Sequence, residues 1–169
     1  YETSRKFKDF NKAITFYLFE RSYNLKVVQK KTLKSKNIKW ISNFSDIKSG
    51  PVIFLGNEFF DSIPIKQFKR NNNQFFEKYY FLDKFDTIKH GYTKASFKDS
   101  QNLKKYQSLK KSNFIEFPKM GFRMLENIIQ KIYVNSGGIL LIDYGYTNSL
   151  NKNTIQSLIK HKKNEVFKN

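Results

Sequence analysis

Residues 52–64 read VIFLGNEFFDSIP, and this stretch decides the fold that the chain is expected to adopt. An apolar run from Val52 to Leu55 stops at Gly56, and polar and aromatic residues follow it at once. The pattern predicts a buried strand of a parallel sheet that surfaces at its carboxyl end, where open α/β sheets bind their ligands. A solvated loop after a core strand is the alternative interpretation.

The residues that follow this strand suit a cationic or amine-bearing substrate. Glu58 and Asp61 supply carboxylates and Asn57 supplies an amide, and such groups together hold a guanidinium or an amine. Phe59 and Phe60 stand between them as aromatic walls, unless they fill the core, which is the commoner role of phenylalanine. We therefore predict that Asn57, Glu58 and Asp61 are catalytic and that Phe59 and Phe60 bind the substrate.

Two further apolar runs end in acidic residues in the same way. The run 137–142 leads into Asp143, and the run 13–19 leads into Glu20. Three such strands predict that Glu20, Asp143 and the carboxylates after the first strand lie along one rim of a mostly parallel sheet. Asp143 and its neighbour Tyr144 are then expected to complete the substrate pocket.

The remaining residues predict a single domain that carries an antiparallel insertion. Apolar spacing predicts helices at 3–11, 25–33 and 119–134, and a last one from about 153. Short apolar runs predict a strand at 38–41 and a meander of strands at 65–70, 74–82 and 85–92, with turns at 71–73 and 83–84. Residues 94–113 are polar and poorly patterned, and we expect a mobile loop there. Residues 66–115 would thus form an inserted meander and loop.

Composition excludes several classes of protein. With 169 residues, 39% of them hydrophobic and 17% aromatic, the chain is expected to fold as one domain with a sizeable core. It has no cysteine, which excludes disulfides and thiolate metal sites. His90 and His161 lie far apart and make no metal-ligand spacing. No apolar run approaches the length of about 18 residues that a membrane span needs.

The net charge of +18 suggests nucleic acid as a partner, but the basic residues argue against it. Arginine, which base readout and bidentate phosphate contacts favour, occurs only at positions 5, 21, 70 and 123. The lysines are scattered over separate predicted surfaces. We therefore do not expect nucleic-acid binding, while an anionic partner surface, such as an acidic protein, stays open.

Four motifs, in order along the chain, resemble those of the MidA-type family of S-adenosylmethionine-dependent methyltransferases. The family patterns are VExSxxLxxxQ, an NEFFDALP-like segment followed by QF, GGxxLIxDYGY, and TxQxxxxH. The matching positions here are 19–25 with Gln29, 57–64 with Gln67 and Phe68, 137–146, and Thr154 with Gln156 and His161. The resemblance spans nearly the whole chain and is weak only in residues 70–115.

This resemblance implies a Rossmann-like class I methyltransferase sheet and S-adenosylmethionine as the cofactor. It implies transfer of a methyl group to a protein side chain, most of all arginine, and support of respiratory complex I assembly in the related mitochondrial proteins. A protein substrate is then the expected partner, and the bacterial cytoplasm or the mitochondrial matrix the expected compartment. Gln67 is expected to support the pocket from behind. The oligomeric state is left open.

Residues at the strand ends are expected to hold the cofactor, and for Glu20 the family resemblance agrees. Glu20 is expected to accept both ribose hydroxyls, as an acid does after a strand in dinucleotide-binding folds. A cap on the helix that begins near Ser22 is the alternative role of Glu20. Asn43 or Ser42 is expected to bond the adenine, and Asn57 to bond the cofactor or the substrate.

One family feature is missing from the chain, the glycine-rich loop that approaches the methionine part of the cofactor. The seven glycines form no G-x-G pattern. We therefore expect an internal fragment, incomplete at both ends and roughly half of a complete enzyme. A non-catalytic assembly factor that keeps the methyltransferase fold is the competing hypothesis.

Overall fold

The computed structural model of the chain describes residues 6–34, 37–48, 50–146, 150–159 and 162–164. The helices in these ranges are α1 (Lys8–Ala13), α2 (Tyr23–Thr32), α3 (Phe97–Lys105) and α4 (Lys119–Asn135), with short 3-10 turns at Phe44–Asp46 and Gln107–Leu109. The strands are β1 (Phe16–Phe19), β2 (Ile38–Ile41), β3 (Val52–Asn57), β4 (Lys66–Asn71), β5 (Gln74–Leu82), β6 (Ile88–Lys94), β7 (Phe114–Phe117), β8 (Gly137–Ile142), β9 (Ser157–Ile159) and β10 (Lys162–Asn164).

The chain divides into two compact units, which are described separately. Unit 1 comprises Tyr1–Phe54 and Glu126–Ile139, and unit 2 comprises Leu55–Leu125 and Leu140–Asn169. The strands β3 and β8 and the helix α4 each run from one unit into the other. The expectation of one methyltransferase domain with an insertion at 66–115 stays a prediction.

Unit 1 contains a βαβ arrangement. The strands β1 and β2 pair in parallel, with Phe16–Phe19 opposite Ile38–Ile41. The helix α2 lies between them in the chain, because parallel neighbours need a crossover connection. Its first turn is held by Ser22, whose hydroxyl accepts the Leu25 N–H at 3.3 Å. The predicted strand at 38–41 is confirmed, whereas the predicted strand at 13–19 is shorter because Ala13 still belongs to α1.

The strands β3 and β8 pair with each other in a separate two-stranded sheet. Within unit 1 the Val52 N–H donates to the Ser136 oxygen at 2.8 Å, and within unit 2 the Glu58 N–H donates to the Ile142 oxygen at 2.9 Å. Both strands advance in the same direction between these bonds, so they are parallel. Gly137 lies so close to β3 that a Cβ there would be 1.9 Å from the Val52 oxygen.

Two expectations about these strands are wrong. The strands β1 and β3 do not belong to one hydrogen-bonded sheet, since no strand in the described ranges bridges the two parallel pairs. The strand β3 is also not buried on both faces, because Ile53 and Leu55 are 71% and 70% exposed. Alternate side chains of a strand point to opposite faces, and no described element covers the face that carries these two.

Unit 2 contains a four-stranded antiparallel sheet with the strand order β6-β5-β4-β7. The predicted meander is confirmed by the antiparallel pairing of β4 with β5 and of β5 with β6. Its first turn is made by Asn72 and Asn73, both in the left-handed region with φ of 44° and 61°. Two such residues in a row give the turn type that matches the twist of a hairpin. The strand β7, which pairs with β4, was not predicted.

The core of unit 2 lies between this sheet and α3. Its buried members come from the strands, from α3 and from the residue that directly follows β6, and they are Phe68, Phe75, Ala95, Leu103, Ile115 and Phe117. The expected mobile loop at 94–113 is therefore wrong. The helix is capped by Ser96, whose hydroxyl accepts the Asp99 N–H at 3.1 Å. The helix buries only Asp99 and Leu103. Because one of these two residues is charged, the sequence shows no apolar helical period here.

Near the carboxyl end, the helix expected from about residue 153 is wrong. Residues 153–156 are not helical, and β9 instead pairs with β10 in an antiparallel ribbon. The helix expected at 119–134 is confirmed as α4. Part of the helix expected at 3–11, and the motif residue His161, lie outside the described residues.

Candidate functional site

The first group of predicted site residues lies in unit 2, where β3 ends. Asn57 is the last residue of β3, and Glu58 follows it with a left-handed backbone, φ 48°. Side chains other than glycine, asparagine and aspartate seldom adopt this region, and the strain costs about 1–2 kcal/mol. The Glu58 N–H extends the ladder to β8, so the strained residue is anchored at its strand end. Strain of this kind is concentrated at functional sites.

The structure brings the predicted residues from the two strand ends together. The Tyr144 hydroxyl donates to Asp61 Oδ2 at 3.2 Å, and the Tyr144 N–H donates to Asp143 Oδ1 at 2.9 Å. The hydrogen bond to Asp61 and the charge of Asp61 raise the pKa of Tyr144, with smaller contributions from burial and from the charges of Glu58 and Asp143. Asp61 thus contacts the Tyr144 phenol, and Glu58 and Asp143 act on it through their charges. We call Glu58, Asp61, Asp143 and Tyr144 the acidic cluster.

The two phenylalanines beside the acidic cluster are half-buried and touch each other. The Phe59 and Phe60 ring centroids lie 5.1 Å apart at an angle of 89°, an edge-to-face contact. Phe60 also packs near Gly121, where a Cβ would be 3.4 Å from the Phe60 ring. Behind them, the buried Ile63 donates its N–H to the Phe60 oxygen at 3.1 Å. The two rings thus form an aromatic wall that α4 and the following turn support.

Gln67, predicted to support the pocket, belongs to a hydrogen-bond network in unit 2. It is 4% exposed, and its Nε2 donates to Glu116 Oε1 at 2.8 Å and to Asn153 Oδ1 at 2.6 Å. Thr154 donates its N–H to Glu116 Oε1 at 3.0 Å and its hydroxyl to Oε2. Two sequence motifs are thereby joined through Glu116, a residue that our sequence analysis missed. An acid inside the short apolar run Phe114–Phe117 was the available signal.

The second group of predicted residues lies in unit 1, where Glu20 follows β1. The Ser22 N–H donates to Glu20 Oε1 at 2.7 Å, and Gln29 Nε2 donates to Glu20 Oε2 at 3.2 Å. Gln29 Oε1 in turn accepts the Trp40 Nε1–H at 2.9 Å. The residues Glu20, Ser22 and Gln29 of one sequence motif therefore form one network, and Trp40 of β2 belongs to it.

Asn43 lies in a turn that packs against the end of β1. Phe19, just before Glu20, stacks on Phe44, just after Asn43, with ring centroids 4.9 Å apart. The turn that carries Asn43 is held by Asp46, whose Oδ2 accepts the N–H groups of Ser42 at 3.3 Å and Asn43 at 3.2 Å. These two backbone donors are therefore already used, whereas the Asn43 side chain is exposed.

Among the residues that the structure describes, no group of three or more His, Cys, Asp or Glu side chains is arranged to hold a metal ion. None of the helices in the described ranges is long and apolar enough to cross a membrane.

Comparison with known proteins identifies the family. Residues 1–169 match the family described as "Putative S-adenosyl-L-methionine-dependent methyltransferase". Parallel strand pairs whose carboxyl ends carry acids agree with an α/β protein of this class. The chain belongs to this family, and the MidA-type resemblance seen in its motifs is confirmed.

Two curated relatives are similar to the chain. Over 162 residues it is 27% identical to "Protein arginine methyltransferase NDUFAF7 homolog, mitochondrial" of Caenorhabditis elegans, covering 94% of this chain and 38% of the relative. Over 115 residues it is 28% identical to "Protein arginine methyltransferase NDUFAF7, mitochondrial" of Danio rerio, covering 64% and 26% respectively. The chain thus spans well under half of the length of either relative.

Two solved structures from Burkholderia thailandensis share the fold. One of them, solved in its native form, gives a TM-score of 0.69 at 13% identity and covers 90% of this chain and 43% of that one. The other, bound to S-adenosyl-homocysteine, gives a TM-score of 0.58 at 14% identity and covers 78% and 35%. At these identities the likeness supports the α/β fold alone.

S-adenosylmethionine is the cofactor of this family, and Glu20 provides a test of whether the present residues fit it. An ionised carboxylate offers about four acceptor positions. Two at Glu20 are taken by the Ser22 and Gln29 donors, one on each oxygen. The remaining two match a vicinal diol such as the ribose of the cofactor, so the residues fit the group.

Proposed function

We propose that the full-length protein that carries this chain transfers a methyl group from S-adenosylmethionine to a protein side chain, with arginine as the acceptor. The acidic cluster is the observation that carries the proposal. It consists of Glu58 and Asp143 at the ends of two paired parallel strands and of Asp61 in the turn that follows, where Asp61 accepts a hydrogen bond from the Tyr144 phenol. A guanidinium needs such a surrounding, because carboxylates both orient its nitrogens and offset its charge.

Methyl transfer of this kind asks mainly for positioning. The bound cofactor supplies an already activated methyl group on its sulfonium. The protein then has to hold one acceptor nitrogen in line, keep water out, and take up the proton that this nitrogen loses, for which a carboxylate of the acidic cluster is available. The positioning alone is worth about 7–11 kcal/mol. Glu58 and Asp61 would hold the acceptor, Asp143 and Tyr144 would fix its second edge, and Phe59 and Phe60 would form a dry wall.

The residues of unit 1 would serve the cofactor in a Rossmann-like methyltransferase fold. Glu20 would accept the ribose hydroxyls, and the exposed Asn43 side chain would bond the adenine. Asn57, at the end of β3, would bond the cofactor or the substrate. A role in respiratory complex I assembly, and a place in the mitochondrial matrix or the bacterial cytoplasm, belong to the same proposal because the family resemblance implies them.

Titration of the full-length protein with S-adenosylmethionine, followed by a methylation assay on arginine-containing and lysine-containing peptides, tests the proposal. Binding together with methylation of arginine supports it. Binding with methylation of another side chain would support the methyltransferase activity and contradict arginine as the acceptor. A folded protein that binds no cofactor would contradict the proposal and favour the non-catalytic assembly factor.

A further inference from the structure

Gln29 has both ends of its amide engaged within unit 1. Its Nε2 donates to Glu20 Oε2 at 3.2 Å, and its Oε1 accepts the Trp40 Nε1–H at 2.9 Å. The indole N–H is a donor only, and an ionised carboxylate is an acceptor only. The amide therefore fits between them in one orientation, with the oxygen toward Trp40 and the nitrogen toward Glu20.

The network joins three elements that meet beside the predicted cofactor site. Glu20 follows β1, Gln29 lies in α2, and Trp40 lies in β2, which pairs with β1. All three side chains are half-buried, so solvent competes for these bonds less than on an open surface. The second Glu20 oxygen accepts the Ser22 N–H at 2.7 Å, which fixes the carboxylate from the other side.

We propose that Gln29, oriented by Trp40, is a positioning residue that holds the Glu20 carboxylate in the conformation that receives the ribose hydroxyls. This inference rests on the proposed function, because it assumes that Glu20 contacts the ribose. Gln29 itself would not touch the cofactor. Without its amide, one Glu20 oxygen loses its fixed donor, and the carboxylate has to be ordered when the ligand binds.

The number of hydrogen-bond acceptor positions on the Glu20 carboxylate explains why its orientation matters. Ser22 and Gln29 each occupy one position on a different oxygen of Glu20, and no other donor from the described part of the chain bonds to it, which leaves one position on each oxygen. Two open positions on one rigid carboxylate match two neighbouring hydroxyls. A carboxylate free to rotate would offer the same acceptors, but it would lose side-chain entropy on binding.

Binding of S-adenosyl-homocysteine and of its 2′,3′-dideoxyribose analogue to the full-length protein, measured by calorimetry, tests the inference. The ratio of the two dissociation constants reports how much the ribose hydroxyls contribute. Gln29→Met keeps the length of the side chain and removes the amide, and Trp40→Phe removes the indole donor and keeps an aromatic ring. Asn24→Ala, an exposed position on α2, is the matched control.

In the wild type and in Asn24→Ala, we expect the analogue to bind about 10- to 100-fold more weakly, because hydrogen bonds to a charged acceptor are lost. In Gln29→Met and Trp40→Phe the ratio should fall to about threefold or less, while a circular dichroism spectrum like that of the wild type shows the fold intact. A full ratio in both variants would overturn the role of Gln29 and leave the proposed function standing. If the wild type binds the two ligands equally well, Glu20 does not contact the ribose hydroxyls.

Discussion

At the scale of single residues, the hydroxyl of Tyr144 can be removed from the acidic cluster with little other change to the protein. Tyr144 is 66% exposed, and its hydroxyl donates to Asp61. We expect Tyr144→Phe to lower the methylation rate of the full-length protein by about 10- to 100-fold, since a hydrogen bond to a charged group is lost. Tyr146→Phe, on the same loop and 70% exposed, is the control and should keep the wild-type rate. Equal rates for both variants would exclude Tyr144 from the site.

The carboxylates of the cluster allow a second prediction. Glu58→Gln and Asp61→Asn keep the shape of each side chain and remove one negative charge. If these groups orient a cationic acceptor, turnover should fall by about 100- to 1,000-fold while cofactor affinity and melting temperature stay unchanged. Glu126→Gln, exposed on α4, should leave all three quantities as they are. A drop in melting temperature with weaker cofactor binding would show that the carboxylates stabilise the loop instead.

The sequence predicted several of these residues because they follow strands directly. Glu58 and Asp143 come immediately after β3 and β8, and a strand end fixes where such a residue lies. Glu116 was missed because its contacts, Gln67 and Thr154, are 49 and 38 residues away in the chain. Partners at such separations are set by tertiary packing, which a local pattern does not contain.

At the scale of elements, Gly137 controls the parallel pair of β3 and β8. Its φ is +135°, and a Cβ would be 1.9 Å from the Val52 oxygen. We expect Gly137→Ala to lower the free energy of unfolding by at least about 3 kcal/mol, because both the backbone angle and the space forbid a side chain. Gly138→Ala is the matched control, since nothing lies within 4 Å of its Cβ position and its φ is not left-handed. Urea unfolding of the two variants checks this, and equal midpoints would contradict it.

The helix α3 carries a buried charge that predicts a pH dependence. Asp99 is 1% exposed and accepts from Lys119 Nζ at 2.5 Å and from Lys66 Nζ at 3.0 Å. Burial alone would raise the pKa of Asp99, but the hydrogen bonds from Lys119, Lys66 and Ser96 outweigh it and lower the pKa to about 2. The lowered pKa stabilises the folded protein at pH values above the ordinary value of 3.8, and this stabilisation is lost as the pH falls towards 2.

We therefore expect the stability advantage of the wild type over Asp99→Asn to shrink by about 2 kcal/mol between pH 5 and pH 2. Below that range the aspartic acid is neutral, as the amide is. Urea unfolding of both proteins across the range measures the difference. Asp86→Asn, in the exposed turn between β5 and β6, controls for the loss of one carboxylate. An advantage that does not change with pH would show that Asp99 contributes shape alone.

The helix α3 also shows why some elements escaped the sequence analysis. Its capping residue Ser96 was visible, but one of its two buried side chains is the charged Asp99, so the apolar period was absent. The meander was easier, because Asn72 and Asn73 specify their hairpin turn locally. Burial of β3 was overestimated, since an apolar run shows that a strand has two apolar faces without showing that both are covered.

At the scale of the whole molecule, the net charge of the chain is opposite in sign to the charge of the acidic cluster. The chain carries 32 basic and 14 acidic residues, a net charge of +18. Three of these acids are gathered in the acidic cluster of unit 2, so the local field at the cluster opposes that of the chain as a whole. Over distances beyond about 10 Å salt screens the lysines, whereas contact with the cluster is screened less. If the acceptor is cationic, as proposed, short-range contacts would bind it and long-range attraction would not.

At Glu58 the most stable residue and the residue needed for activity are expected to differ, because its backbone is left-handed. At φ 48°, a glycine would relieve about 1 kcal/mol or more of strain, so Glu58→Gly should unfold at a higher urea concentration than Glu58→Ala. Both substitutions remove the carboxylate, and both should lose methylation alike. Equal midpoints for the two variants would mean that this backbone angle carries no strain. If the strain is present, laboratory evolution for thermostability would select glycine at position 58, and each more stable descendant would be a poorer catalyst.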